Sequence, residues 1–281
     1  MRLRSGVRLG NLWRARDLGP ILERSPDVRI PLSKPVALAV TAAALLCAAP
    51  TTASAATCSG TTASSYAQTV VTTPGLVSYW RLGEASGTSA CDSYGSNAGA
   101  YQGGFRLGAT GAIAGDPDTA TTFDGSTATV SVAHSASLDV GDSFTVEAWV
   151  KRAAFGAPDY QAIASQQANA WLVAFNAANK LVLRQAKVGD LMQSTRTITD
   201  TSWHHVAVTK SGATVRMYID GADVSGSVTN RTMANNTLPL VIGQSSGTAF
   251  LNGTVDEVAV YAKALTPAQV ANHYNKGRVA G

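Results

Sequence analysis

The sequence predicts an all-β protein: a two-sheet antiparallel jelly-roll sandwich with a short N-terminal helix and a C-terminal helix. The first observation is a series of short apolar or alternating runs bounded by turn residues, with Asp220-Gly221 as a strong hairpin signal. The second is the length of residues 56–281, which suits one large β sandwich. Many short strands at regular spacing favour a sandwich or jelly roll over an α/β sheet. The predicted strands are Leu76–Leu82, Ala120–Phe123, Thr127–Val132, Phe144–Val150, Trp171–Phe175, Lys180–Gln185, His204–Thr209, Thr214–Ile219, Leu238–Ile242 and Thr254–Tyr261.

A short helix is predicted before the first strand. Tyr66 and Val70 lie four residues apart within Ser65–Val71, and Pro74-Gly75 ends the helix. Residues 56–75 therefore form a linker and a short helix, and residues 76–281 form the jelly-roll domain.

The C-terminal helix has clear boundary signals. Thr266 suits the N-cap, Pro267 suits the first helical position, and Gln269 completes a T-x-x-Q capping box. Val270 and Tyr274 fall on one face, which predicts docking on the sandwich. Gly277 is the predicted C-terminal stop.

The front of the chain predicts export. The apolar run Val36–Ala49 follows a basic segment and is shorter than the roughly 20 residues of a membrane-spanning helix. Ala53–Ala55 matches an A-x-A signal-peptidase site. We therefore predict a signal peptide over residues 1–55 and a secreted, extracellular protein with no membrane association after cleavage; an uncleaved anchor is the alternative. A start at Val28 would give a leader of ordinary length, which makes residues 1–27 a candidate mis-called start.

Removal of the leader changes the charge of the protein. The whole chain has 22 Lys and Arg against 18 Asp and Glu, a net charge of +4. Residues 1–55 hold 8 of the basic and 3 of the acidic residues, which leaves 14 against 15 and a net charge of −1. The mature protein thus lacks the basic footprint of a nucleic-acid-binding protein, and no nucleic-acid partner is predicted.

Two cysteines remain after cleavage, because Cys47 leaves with the leader. An even number of cysteines in an exported chain favours a disulfide between Cys58 and Cys91. Such a bridge closes a loop of about 33 residues and stabilises the fold by about 3.5–4 kcal/mol on the chain-entropy view. A metal site is the alternative, but two thiolates without a neighbouring His make a poor one.

An ordered series of motifs resembles the laminin-G-like, concanavalin A-like jelly-roll domains of secreted bacterial proteins. The series covers most of residues 76–277. Its members are Tyr79–Glu84, Asp92–Gly99, Asp116–Ala120, Phe123–Gly125, Phe144–Val150, Trp203–Val208 and Gly253–Tyr261. The resemblance implies a non-catalytic module that binds a glycan or polysaccharide, or a cell-surface protein, in many cases with a structural calcium ion.

Four oxygen-bearing side chains are the candidate calcium ligands. Glu84, Asp92 and Asn97 flank the first strand, and Asp256 lies near the start of the last one. First and last strands can be neighbours in a jelly roll, which would bring these hard oxygen ligands together. The alternative is that Asp92 and Asn97 only cap turns.

No catalytic constellation is predicted. Gly243–Gly247 matches G-x-S-x-G, but no helical segment follows it, so a hairpin loop is expected. Asp256 and Glu257 are adjacent and should point to opposite faces of a strand. The E-x-D-x-E strand pattern of glycosidases with this fold is missing. His204 and His205 lack metal-ligand spacing.

Aromatic residues divide into two groups. Trp80, Trp149, Trp171 and Trp203 lie in strand patterns and are predicted to be core residues. Candidates for a glycan platform are the loop aromatics Tyr94, Phe105, Phe155, Tyr160 and Phe250. The predicted function is a secreted, non-catalytic carbohydrate-binding module. Alternatives are an extracellular adhesion or structural protein and, more weakly, a glycoside hydrolase.

Overall fold

Two antiparallel β-sheets and two helices form the part of the chain that the structure, a computed structural model, describes: residues 64–156, 159–166 and 170–278. The helices are α1 (Ser65–Thr72) and α2 (Pro267–Arg278), with a 3-10 turn at Ala136–Leu138. The strands are β1 (Leu76–Trp80), β2 (Ser89–Ala90), β3 (Gly99–Gln102), β4 (Arg106–Thr110), β5 (Thr119–Asp124), β6 (Thr129–Val132), β7 (Ser143–Arg152), β8 (Gln161–Gln166), β9 (Trp171–Phe175), β10 (Lys180–Gln185), β11 (Gly189–Thr197), β12 (Trp203–Ser211), β13 (Thr214–Ile219), β14 (Ala222–Asp223), β15 (Leu240–Ile242) and β16 (Asn252–Tyr261).

The strands form two sheets that pack face to face. The first sheet has the order β14-β13-β12-β7-β16-β5-β4, with β1 also paired to β16. The second sheet has the order β11-β10-β9-β8-β15-β6-β3-β2. This arrangement confirms the predicted two-sheet antiparallel sandwich and the predicted helices.

The core lies between the two sheets. Trp80 and Phe144 of the first sheet and Trp171 of the second are almost completely buried in it. The rings of Phe144 and Trp171 stack across the interface with centroids 5.7 Å apart. Burying one such side chain stabilises a fold by about 1.5–3 kcal/mol, so this cluster is a main source of stability.

Both helices pack on the outer face of the first sheet. Val70 of α1 and Val270 of α2 join a second apolar cluster with Trp149. The predicted capping box is present: Thr266 N donates to Gln269 Oε1 (2.9 Å) and Gln269 N donates to Thr266 Oγ1 (3.2 Å).

The predicted role of Gly277 is wrong. The helix continues through it to Arg278. A Cβ at this position would lie 2.4 Å from Cζ2 of Trp149, so the glycine allows α2 to approach the sheet closely.

The first and last strands are neighbours, as predicted. β1 runs antiparallel to β16, with Trp80 opposite Val258. A bulge interrupts β16 between Asp256 and Ala259, and Glu257 adopts a left-handed φ of +56°.

The expectation that Asp256 and Glu257 face opposite ways is therefore wrong. Because the bulge breaks the period of two, both carboxylates lie on the helix-covered side: Asp256 accepts from Ala112 N, and Glu257 accepts from Tyr79 Oη.

The described residues belong to one compact unit, Ser54–Gly281. Among them, neither helix is long and apolar enough to cross a membrane. The predicted leader over residues 1–55 lies outside the described residues.

Candidate functional site

The outer face of the second sheet carries a continuous row of mixed polar and aliphatic side chains. Along β6 and β15, Val130 and Ile242 point into the core, so Ser131 and Val241 point outward. The register extends this outward row in both directions. Its members are Ala100, Ser131, Val241, Ser165, Leu172, Arg184 and Asp190.

A loop between β15 and β16, Gly243–Leu251, lies against this face. Ser165 Oγ donates to the carbonyl of Gln244 (2.9 Å), and Ala162 N donates to the carbonyl of Ala249 (3.1 Å). Leu251 N donates to Gly243 O (2.9 Å) and closes the loop. The loop contains the G-x-S-x-G sequence and is followed by a strand, β16, whereas a nucleophile elbow leads into a helix. The predicted hairpin is wrong, because β15 and β16 belong to different sheets and do not pair with each other.

The loop separates two depressions, and the first is the larger. It has a volume of about 440 Å³, within the range of small-molecule sites. Its described lining residues are Gln102, Thr127, Thr129, Ser131, Leu238, Pro239, Val241, Gln244 and Phe250. This lining contains amides, hydroxyls, aliphatic groups and one aromatic ring, and no ionisable side chain.

Three polar side chains of the first depression are available to a ligand. Gln102, Thr129 and Ser131 lie on β3 and β6, with Gln102 directly opposite Thr129. Their side chains have no hydrogen-bond partner among the described residues, whereas Thr127 donates to Asp124 Oδ2 (2.7 Å). The strands therefore present one amide and two hydroxyls toward the depression.

The second depression is smaller, about 190 Å³, and charged. Arg184 Nη1 donates to Asp190 Oδ1 (2.7 Å) and to Tyr160 Oη (2.9 Å), and its guanidinium stacks 4.9 Å from the Tyr160 ring. These contacts occupy Arg184 with protein groups. Lys187 at the β10–β11 turn is exposed.

Two of the five loop aromatics line these depressions, Phe250 in the first and Tyr160 in the second. Tyr94 is half exposed elsewhere. Phe105 stacks on Tyr101, and Phe155 lies under Arg152. Among the tryptophans predicted to be core residues, Trp80, Trp149 and Trp171 are buried and Trp203 is partly buried.

Asp92 organises its own loop. Its Oδ1 accepts from the backbone N–H groups of Tyr79 (2.9 Å), Tyr94 (3.1 Å) and Gly95 (2.8 Å), and its Oδ2 accepts from Asn97 N (2.9 Å). Asn97 Nδ2 in turn donates to Ser78 Oγ (2.7 Å). The Asp92 contacts match the turn-cap alternative, whereas the Asn97 side chain bonds serine side chains of other segments, Ser78, Ser135 and Ser137.

The other two candidate calcium ligands have different neighbours. Glu84 accepts from Cys91 N (2.7 Å) and Tyr101 Oη (2.6 Å), whereas Asp256 accepts from Ala112 N (2.7 Å). Of the four residues, the structure joins only Asp92 and Asn97 by a hydrogen bond. Within the described ranges, no group of three or more His, Cys, Asp or Glu side chains is arranged to hold a metal.

Asp256 belongs to a buried acidic cluster around Arg81. The Arg81 guanidinium lies 3.0 Å from both Asp118 Oδ2 and Glu257 Oε1, and it also contacts Asp116. Burial raises the pKa of Asp256 to about 8 and that of Glu257 well above its usual value. Asp256 Oδ1 is buried without a partner in this part of the structure. Both carboxyl groups are shielded from any substrate.

A second buried network holds the helices. Glu147 Oε1 lies 2.9 Å from His273 Nδ1 and accepts from Tyr261 Oη (2.7 Å), and His205 Nε2 lies 3.3 Å from Glu147 Oε2. Burial raises the Glu147 pKa, but attraction to His273 and contacts with both histidines outweigh it and hold the pKa well below its usual range. His273 Nε2 also meets Thr73 Oγ1 at 2.9 Å, which connects α2 to the end of α1.

The predicted disulfide remains a prediction. Cys91 lies between β2 and Asp92, whereas Cys58 lies outside the described residues.

Sequence reasoning missed the polar groups of the first depression. Gln102, Thr129 and Ser131 are common residue types without a motif. The alternation within Thr127–Val132 was the available signal, because it marks Thr129 and Ser131 as residues of one outward face.

Comparisons with known proteins show which proteins share this fold. No curated protein shows significant sequence similarity to the chain. Among solved structures, domain 4 of AbnA, an extracellular arabinanase from Geobacillus stearothermophilus, in complex with arabinotriose, has a TM-score of 0.51 and 16% identity, covering 71% of this chain and 98% of that domain. The binding domain of Botulinum Neurotoxin DC in complex with SialylT has a TM-score of 0.58 and 13% identity. That match covers 73% of this chain and 52% of the toxin domain.

Another similar structure is the binding domain of Paraclostridial Mosquitocidal Protein 1. It has a TM-score of 0.55 and 17% identity, covering 72% of this chain and 52% of that domain. The chain thus spans about half the length of these toxin domains, and at such identities the likeness shows the fold alone. The profile described as Laminin_G_3, concanavalin A-like lectin/glucanases superfamily, matches residues 124–271, more than half of the chain. This match confirms the resemblance seen in the motifs, and the chain belongs to that family.

Proposed function

We propose that the protein is a secreted, non-catalytic carbohydrate-binding module whose site is the first depression. The observation that carries this proposal is the composition of that depression: the side chains of Gln102, Thr129 and Ser131, which bond none of the described residues, lie beside Phe250 and aliphatic side chains. Sugars present hydroxyls around the ring and C–H groups on its faces. Hydroxyls can therefore bond the polar groups while a ring face rests on apolar ones.

The structural relatives support this proposal. One of them is an arabinanase domain in complex with arabinotriose, and another is a toxin binding domain in complex with SialylT. Proteins of this fold therefore include glycan binders, although their ligands need not be the ligand of this chain.

Export is part of the proposal. It rests on the apolar run Val36–Ala49 and the small residues Ala53–Ala55. The exported protein should begin at Ala56, which N-terminal sequencing of protein from the culture medium can check. Protein that stays with the cells and retains residues 36–49 would contradict it.

A bound structural calcium ion remains a prediction that rests on the family resemblance. Calcium takes many of its ligands from backbone carbonyls, so a site need not contain three acidic side chains. If calcium stabilises the exported protein, a chelator should lower its melting temperature, and Asp256→Ala should abolish the difference. Identical melting curves with and without the chelator would refute the prediction.

The function itself is tested by calorimetry of the exported protein against neutral and acidic oligosaccharides and soluble plant, fungal and bacterial polysaccharides. We expect modest affinity, because the protein exchanges water hydrogen bonds for sugar hydrogen bonds with little net gain. Product analysis after long incubation should find no released sugar.

Two results would contradict the proposal. Release of oligosaccharide would revive the glycoside hydrolase alternative. An absence of binding across the whole panel would favour the adhesion alternative, in which the partner is a protein.

A further inference from the structure

The first depression differs from its neighbour in charge. Among the described residues that line it, none is Asp, Glu, Lys, Arg or His. The second depression contains Asp159, Arg184 and Lys187. The two lie on opposite sides of the loop Gly243–Leu251, so a ligand's charge should decide which of them it prefers.

A negative charge lies directly behind one lining residue of the first depression. Asp124 accepts from the hydroxyl of Thr127 at 2.7 Å, and Thr127 lines the depression. The Asp124 carboxylate also accepts three backbone N–H groups of its own turn. Burial raises the pKa of Asp124, but these bonds together outweigh it and hold the pKa below its usual value, so the group stays anionic.

An anionic sugar finds no cationic side chain among the described residues that line this depression. Carboxylates and phosphates in protein sites are recognised through Arg, Lys or clustered N–H groups, and a desolvated anion without them is costly. Asp124 would add repulsion. An uncharged sugar has no such cost, and its hydroxyls can bond the free groups of Gln102, Thr129 and Ser131.

We propose that the ligand of the first depression is an uncharged glycan, with the ring of Phe250 against a sugar face and Gln102 and Thr129 bonding its hydroxyls. This inference rests on the proposed function and narrows its ligand class. It excludes sialylated and uronic-acid-rich glycans from this site.

The test compares glycans that differ in charge alone. The α-1,4-linked galactotriose and trigalacturonic acid share their stereochemistry and differ at C6, where a hydroxymethyl group is replaced by a carboxylate. Neutral trisaccharides of arabinose, xylose, glucose and mannose, together with sialyllactose, complete the panel. Calorimetry on the exported protein should detect a neutral member and no acidic one, and raising the salt concentration should leave the affinity unchanged.

Variants locate the bound sugar. Phe250→Ala and Gln102→Ala should each weaken binding of the neutral glycan about tenfold, from the loss of stacking or of one well-placed hydrogen bond. Tyr94→Ala is the matched control for an exposed aromatic outside the depression, and Lys187→Ala is the control for the charged depression. Both should bind as the unmodified protein does.

The outcomes separate the two proposals. Preferential binding of trigalacturonic acid or sialyllactose, abolished by Lys187→Ala, would overturn the neutral-ligand inference and leave a carbohydrate-binding function standing. Binding of a neutral glycan that Phe250→Ala and Gln102→Ala leave unchanged would also overturn the inference, because the sugar would then lie elsewhere. A lack of binding to every glycan of the panel would overturn the proposed function together with the inference.

Discussion

At the scale of single residues, the dependence of stability on pH is set by a cluster of buried carboxyl groups that outnumber the cationic side chains near them. Around Arg81, the carboxyl groups of Asp116, Asp118 and Glu257 surround one guanidinium, and Asp256 lies within their electrostatic reach. Burial, together with repulsion from Asp118, raises the pKa of Asp256 to about 8. The cluster is therefore partly protonated at neutral pH and should respond to pH.

Asp256→Asn should reduce the loss of stability at rising pH. The folded-state pKa of Asp256, about 8, lies above the unfolded value of about 4. The contribution of Asp256 to the free energy of unfolding is therefore fully present below about pH 4 and is lost as the pH rises toward 8. The free energy of unfolding, measured by urea denaturation between pH 4 and pH 9, should decline less in Asp256→Asn than in the unmodified protein.

Asp116 provides the control within the same cluster. Hydrogen bonds and Arg81 outweigh burial and lower its pKa, so its contribution is lost as the pH falls. Asp116→Asn should therefore alter the profile only below about pH 4, so its denaturation series extends to pH 2, and between pH 4 and pH 9 its profile should run parallel to that of the unmodified protein. Parallel profiles for Asp256→Asn and the unmodified protein would show that Asp256 titrates normally.

At the scale of secondary-structure elements, a few side chains hold loops and strands in place by bonding to distant segments. Asp92 ties the loop after β2 to β1, since its carboxylate accepts from Tyr79 N as well as from its own loop. Asp124 makes four similar bonds in an exposed turn. The two residues are matched in chemistry and differ in burial.

Asp92→Ala should lower the free energy of unfolding more than Asp124→Ala does. Losing Asp92 leaves the buried N–H groups of Tyr79 and Asn97 without an acceptor, at about 1–3 kcal/mol for each group. Water can replace the acceptor in the exposed turn of Asp124. Urea denaturation of both variants measures the difference, and equal losses would show that burial of these bonds is unimportant.

His273→Ala should loosen both helices. The substitution leaves the buried carboxylate of Glu147 without its closest cationic partner, which costs about 3–5 kcal/mol when one member of such a pair is removed. Hydrogen exchange should show faster exchange in α1 and α2. Adding Glu147→Gln to this variant should restore part of the stability, because it removes the unpaired charge; a further loss would show that His273 acts through packing alone.

Sequence patterns predicted the elements that have strong local signals and missed those that depend on pairing. The capping box at Thr266 and the apolar strand Phe144–Val150 are local features and were predicted correctly. β3 and β8 are rich in Gly, Ala, Ser or Gln, and they become strands because neighbouring strands complete their hydrogen bonds. The bulge at Glu257 is also set by pairing, which is why the predicted faces of Asp256 and Glu257 were wrong.

The candidate site was predictable only in part, for the same reason. Phe250 was recognised as a loop aromatic, and Gly243–Gly247 was recognised as part of a loop, although the predicted hairpin is a connection between the two sheets. Its polar partners became visible only when the register placed Gln102 beside Thr129. Sites built from ordinary residues on a sheet face have no linear motif.

At the scale of the whole molecule, the two outer faces of the sandwich differ in character. The first sheet carries both helices and the buried charge networks, whereas the second sheet carries the two depressions. If the proposed function is correct, stability depends mainly on one side of the sandwich and binding on the other. It predicts that His273→Ala destabilises the fold without changing the affinity for glycan at temperatures where the variant remains folded.

The most direct test of this account is a crystal structure of the exported protein with the tightest-binding neutral trisaccharide of the panel. We expect a sugar ring over β3, β6 and β15, with one face against Phe250 and a hydroxyl within hydrogen-bond distance of the Gln102 amide. A sugar bound on the helix-covered side, or in the loop formed by residues 92–97, would contradict the account.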